Sequence, residues 1–304
     1  MNKASNTFLL SACGLLFGAA MLSGNNAQGQ SAPPTRGGTQ SSYKNIGKTS
    51  VEQLSTNEEI LRAAAGGEPS RVWAVLEHGE HVDCLDCIPA VEPLLYDSQP
   101  QSREIAAWWL RKRVFGVFGA GETYQKTVQT LKSDPNATRR AYAASALGEF
   151  LTVAGVKHCA TALKSDTDER VRAAAAGALG RIGRDDGALA LAMSDASPLV
   201  KVAVLDAASR MNQRFTAVGA GLADGNPAVR KRAAEIAETH RSVDQVGKLI
   251  DLAKADPDAE VRLSAAHSLG ALHDASARAA LEEIAQGDAN GLVRDQARIA
   301  LRRL

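Results

Sequence analysis

The stretch Asp166-Thr-Asp-Glu-Arg-Val-Arg-Ala-Ala-Ala-Ala-Gly-Ala-Leu-Gly180 decides the fold. Asp166 is a helix-capping residue, and Glu169 three positions on completes a capping box, so a helix is expected to start near Thr167. Val171, Ala174, Ala175, Ala178, Leu179 and Ile182 then recur at the spacing of one helical face, which predicts a continuous buried stripe. Gly180 and Gly183 are expected to end the helix. Six residues after the aspartate stands a base, Arg172.

The aspartate and its base recur as Asp97/Arg103, Asp134/Arg140, Asp166/Arg172, Asp195/Lys201, Asp224/Arg230, Asp256/Arg262 and Asp288/Arg294, with the aspartates 37, 32, 29, 29, 32 and 32 residues apart. A period near thirty marks a solenoid. Apolar stretches at 153–163, 188–193, 217–222, 246–253 and 277–284 read as a second set of helices. The expected fold is therefore all-α, a right-handed α-solenoid of stacked antiparallel helix pairs, with about seven repeats across 88–304. Alanine suits it, because small side chains let helices approach closely and carry the best helix propensity. No single pair buries enough surface to fold alone, so each stacks on the next.

The Asp/Arg pairs read most simply as a ladder, each carboxylate capping its own helix and accepting a charge-assisted hydrogen bond from a base in its own or an adjacent repeat. A nucleic-acid stripe would want excess positive charge, whereas 35 Lys and Arg stand against 34 Asp and Glu in 304 residues. The expected partner is another protein and not nucleic acid.

Through the stretch at Asp166 and its counterpart Asp256-Pro-Asp-Ala-Glu-Val-Arg-Leu-Ser-Ala-Ala-His-Ser-Leu-Gly270, residues 88–304 resemble the HEAT-like repeats first described in phycobilisome lyases. The resemblance implies the fold. For function it implies only a range, since the superfamily includes scaffolds, chromophore lyases and a di-iron hydroxylase. The hydroxylase subgroup carries His-Glu pairs as iron ligands, and the matching stretches here, Arg140-Ala-Tyr-Ala-Ala and Arg172-Ala-Ala-Ala-Ala, have none.

Residues 1–27 have the layout of a secretory signal peptide: Lys3, an apolar run over 8–22, then a polar stretch. This predicts export to the periplasm or cell envelope. The run is short for a membrane span. Leu10-Ser-Ala-Cys13 offers an alternative, a lipobox with acylation of Cys13 as a membrane tether, although most of the apolar run follows the cysteine. Residues 28–49, rich in Ser, Gly, Pro, Gln and Thr, read as a flexible low-complexity leader. Residues 50–87 carry Leu54, Ile60, Leu61, Val72, Trp73, Val75 and Leu76 at helical spacing without the Asp/Arg pair, and read as an N-terminal helical cap.

The segment with chemical potential is His78-Gly-Glu-His81-Val-Asp-Cys84-Leu-Asp-Cys87-Ile-Pro89. Pro89 places Cys87 at the start of a helix expected to run to Tyr96, where the helix dipole favours thiolate. In an exported protein Cys84 and Cys87 read as a short-range disulfide stapling the cap to the first repeat. Two alternatives stay open: His78, His81, Cys84 and Cys87 as a four-ligand zinc set, or a redox-active dithiol. Cys159 falls on an apolar face with Val156, Ala160 and Leu163 and reads as a core thiol, with His158 pointing elsewhere.

The candidate binding residues lie in Trp108-Trp109-Leu-Arg-Lys-Arg113. Repeat register places Trp109 and Leu110 in the core and leaves Trp108 beside Arg111 and Lys112, residue types typical of interaction hot spots. No catalytic or cofactor-binding grouping is expected. The reading is an exported, non-enzymatic scaffold, with a metal- or thiol-dependent factor and a lyase or assembly chaperone for a cofactor-bearing protein as alternatives.

Overall fold

A computed structural model of the protein describes residues 56–116, 119–211 and 218–304; Cys13, the signal-like run and the leader lie outside these residues. The described chain is helical except for two short strands, Phe115–Gly116 and Gly119–Ala120, which pair antiparallel. It divides into two compact units at Ala90/Val91.

In the first unit, α1 (Asn57–Ala64) starts at Thr56, whose hydroxyl accepts from the Glu59 amide, and α2 (Pro69–His78) buries Val72, Trp73, Val75 and Leu76. Ile60 is buried while Leu61 is 40% exposed, so α1 turns a single face inward. Short 3-10 turns, Gly79–His81 and Leu85–Cys87, follow. The helix expected to run to Tyr96 is broken: α3 (Ile88–Val91) gives way to a 3-10 turn at Glu92–Tyr96. Pro93 has no N–H to bond four residues back, which ends the α-helical ladder there.

The second unit is a stack of helix pairs. After α4 (Pro100–Leu110) come α5 (Glu122–Ser133) with α6 (Ala137–Glu149), α7 (Val156–Ser165) with α8 (Glu169–Ile182), and α9 (Ala188–Ala192) with α10 (Pro198–Arg210). Then follow α11 (Val218–Leu222) with α12 (Pro227–Thr239), α13 (Val246–Ala255) with α14 (Ala259–Leu272), and α15 (Arg278–Gly287) with α16 (Gly291–Leu301). Each of α4, α6, α8, α10, α12, α14 and α16 begins three residues after a ladder aspartate. We call these the second helices of their repeats, and α5, α7, α9, α11, α13 and α15 the first helices.

The turn between the helices of a pair differs from the capping-box expectation. Asp168, not Asp166, caps α8, accepting from the Arg170 amide, and the helix starts at Glu169. Asp166 instead accepts from the backbone N–H of Asp168, folding the turn ahead of the cap. The same two-step turn occurs at Asp134/Asn136, Asp224/Asn226, Asp256/Asp258 and Asp288/Asn290. Glu169, free of any capping-box role, hydrogen-bonds Ser197 Oγ.

Nor does Gly180 end its helix. It lies inside α8, where a Cβ would come 2.6 Å from Ala207 Cα of α10. Gly148 faces Ala178 and Gly270 faces Ala300 in the same way, both at 2.7 Å. These glycines let consecutive second helices touch backbone to backbone. The buried face of α8 is correspondingly wider than one stripe: Ala173 and Ala176 join it, while Ala174 and Ile182 are only half-buried. Gly183, in the left-handed region at φ 77°, is the residue that closes the helix.

Candidate functional site

The ladder fixes how the second helices are presented. Arg140 grips Asp166 with Nε and Nη2, both at 2.8 Å, and its Nη1 donates to the Asp134 carbonyl at 2.9 Å. Arg140, Arg172, Arg230 and Arg262 each tie their own turn to the next repeat in this way. Arg172 reaches Asp195, Lys201 reaches Asp224, Arg230 reaches Asp256 and Arg262 reaches Asp288, all at 2.6–2.8 Å. Arg294 closes the series by donating to the carbonyls of Asp288 and Ala289.

The first rung departs from the pattern. Arg103 bonds the carbonyls of Asp97 and Ser98, but its guanidinium stacks 3.8 Å from the Tyr142 ring, and Asp134 pairs with Arg139 instead. A cation–π contact thus replaces an ion pair between the first two second helices.

The helices so aligned present one row of side chains away from the core, eleven residues after each ladder aspartate, from Trp108 through Ser145, Gly177, Asp206, Glu235 and His267 to Ile299. Trp108 is half-buried, with the Arg111 guanidinium 5.6 Å from its ring, and Lys112 is exposed beside it. Trp109 and Leu110 are fully buried, and Arg113 covers the Trp109 ring at 3.6 Å. Along the row Arg232 bonds Asp206 and Glu235, and His267 lies 3.3 Å from Glu238 and 3.0 Å from Gln296. The chemistry of this face is aromatic and cationic at Trp108, bare at Gly177, and mixed polar beyond.

At the Cys84–Cys87 turn the two Sγ atoms lie 2.06 Å apart and both residues are buried. Cys87 Sγ also lies 3.8 Å from the Asn57 carbonyl at the start of α1. The zinc set is not assembled: His81 projects into solvent, His78 sits at the end of α2, and no group of three His, Cys, Asp or Glu side chains among the described residues converges as metal ligands would. Cys159 is fully buried, and burial pushes its thiol up to about 12, the state of an inert core cysteine.

One cleft of about 510 Å³ opens between α5 and α7, lined by Lys132, Asp134, Arg140, Lys157, His158, Thr161 and Asp166 among others. His158 does point away from Cys159, into this cleft, a placement that helix periodicity implied without showing what it would meet.

Among the described residues no helix is long and apolar enough to cross a membrane. The model of the family "HEAT repeats" matches residues 124–209 and 215–302. No curated protein matches the chain in sequence. Among solved structures it is similar to Kap95p, seen in complex with RanGDP, at 13% identity and a TM-score of 0.55, over 87% of this chain and 40% of that one. Escherichia coli YibA is 16% identical over 84% of this chain and 96% of its own, with a TM-score of 0.49. The CpcE–CpcF complex of phycocyanin lyase from Nostoc sp. PCC7120 is 21% identical over 70% of this chain and 86% of that chain, with a TM-score of 0.39. The family match spans more than half of the chain and coincides with the laddered helix pairs, so this chain belongs to the HEAT-repeat family.

Proposed function

We propose that the protein is an exported, non-enzymatic scaffold that holds another protein against the face formed by its second helices. The observation that carries this reading is the row beginning at Trp108: a tryptophan with Arg111 and Lys112 at one end, held in line by the Arg103–Tyr142 cation–π rung and by the buried ion pairs along the later turns. Rigid alignment lowers the ordering cost of binding, and tryptophan and arginine are the residues most often found at the energetic centre of an interface. Export is supported by the apolar run over 8–22 after Lys3 and the polar stretch that follows it, the layout of a secretory signal peptide.

Two variants test the reading. Trp108→Ala is expected to weaken retention of the partner by about tenfold or more, the scale of a hot-spot truncation, while leaving the helical circular dichroism unchanged. Cys84→Ser/Cys87→Ser is expected to keep the partner with reduced thermal stability. Loss of function in cells from the double serine variant, with the fold intact, would instead favour a thiol-dependent factor.

A further inference from the structure

We propose that the cleft between α5 and α7 is a second docking site, separate from the second-helix face, and that it takes the carboxylates of an acidic protein segment. The repeats themselves supply the argument. Lys254 stands two residues before the ladder aspartate Asp256, and its ammonium lies 2.7 Å from Glu283, which stands five residues before Asp288. Lys132 occupies the same place before Asp134, but five residues before Asp166 the carboxylate is replaced by Thr161. The α5/α7 junction has the cation of that rung and lacks its anion.

The cleft adds a second cation, Lys157, and neither lysine forms an ion pair among the described residues. The two aspartates lining it are already taken: Asp166 by the Arg140 fork and Asp134 by Arg139. What remains unbalanced is positive, and burial together with the Lys132 and Lys157 charges holds the His158 imidazole below its ordinary value. A carboxylate entering here would find the contact that Glu283 makes in the equivalent junction. The chain's net charge of +1 offers no wider positive field for a phosphate polymer, so a protein segment bearing Glu or Asp is the occupant.

The test is a titration of the full chain with hexaglutamate, hexaglutamine and inorganic phosphate, followed by the imidazole resonances of His158, assigned by their loss in His158→Gln. Hexaglutamate is expected to move them and hexaglutamine is not. Thr161→Glu, which rebuilds the Lys254–Glu283 arrangement inside the cleft, and the double variant Lys132→Gln/Lys157→Gln are each expected to weaken hexaglutamate binding by about tenfold or more. All three substituted side chains are exposed, so circular dichroism should match the parent. A silent hexaglutamate titration, undiminished affinity in Thr161→Glu, or a response to phosphate with none to hexaglutamate would overturn the proposal. Because Trp108 lies on a different element, a partner lost in Trp108→Ala and kept in Thr161→Glu separates the two surfaces.

Discussion

At the scale of single residues, the ladder aspartates carry more energy than their surface count implies. The Asp256 side chain is only 2% exposed, accepts Arg230 Nε at 2.6 Å and Nη2 at 2.9 Å, and also takes the Asp258 amide. Asp256→Asn strips the charge from one side of this pair and leaves a desolvated guanidinium, so a loss of about 3 kcal/mol is expected in denaturant unfolding. Arg184–Asp186 is as close, at 2.7 Å, but 58% exposed on both sides, and Asp186→Asn is expected to leave the unfolding midpoint nearly unchanged. Burial alone would push the carboxyls of Asp166, Asp195, Asp224 and Asp256 up; the hydrogen bonds from their basic partners and from the turn amides outweigh it and hold all four below the usual range. Such groups stabilise fully above the unfolded-state value of about 4 and lose their contribution as pH falls through the lower folded values. Stability is therefore expected to drop steeply below about pH 4, with a shallower slope in Asp256→Asn.

At the scale of the element, two glycines three residues apart in α8 make opposite predictions. Gly180→Ala drives a Cβ into the Ala207 backbone, and overpacking of this kind costs about 1–3 kcal/mol. Gly177→Ala meets open space and is expected to raise stability by about 1 kcal/mol through helix propensity. Thermal melts of the two variants settle the sign of each. The same helix shows what sequence could and could not reveal. Its apolar spacing, its approximate start and its partner helix were legible because they repeat. The cap lies two residues beyond the position that sequence suggests because Asp166 and Asp168 are equally good capping residues by type, and only the turn geometry assigns one to the turn and the other to the helix. Gly180 is ambiguous in sequence because glycine ends helices and also admits close neighbours, and the neighbour, Ala207, lies in the next repeat.

At the scale of the whole molecule, the period of the aspartates together with the helical apolar spacing that follows each of them marked stacked helix pairs. Less legible were the shortening of α9 to five residues and the proline-broken helix after Cys87. Of the candidate sites, Trp108 and its basic neighbours were visible as a motif; the cleft at His158 was not, because it depends on Lys132 of the preceding first helix.

The most direct measurement of the central claim is native mass spectrometry, with lysine cross-linking, of the protein isolated gently from the cells that produce it. The scaffold account predicts a co-isolated protein cross-linked at Lys112, retained in Cys84→Ser/Cys87→Ser and lost in Trp108→Ala. A complex that survives Trp108→Ala with no cross-link at Lys112 would contradict it.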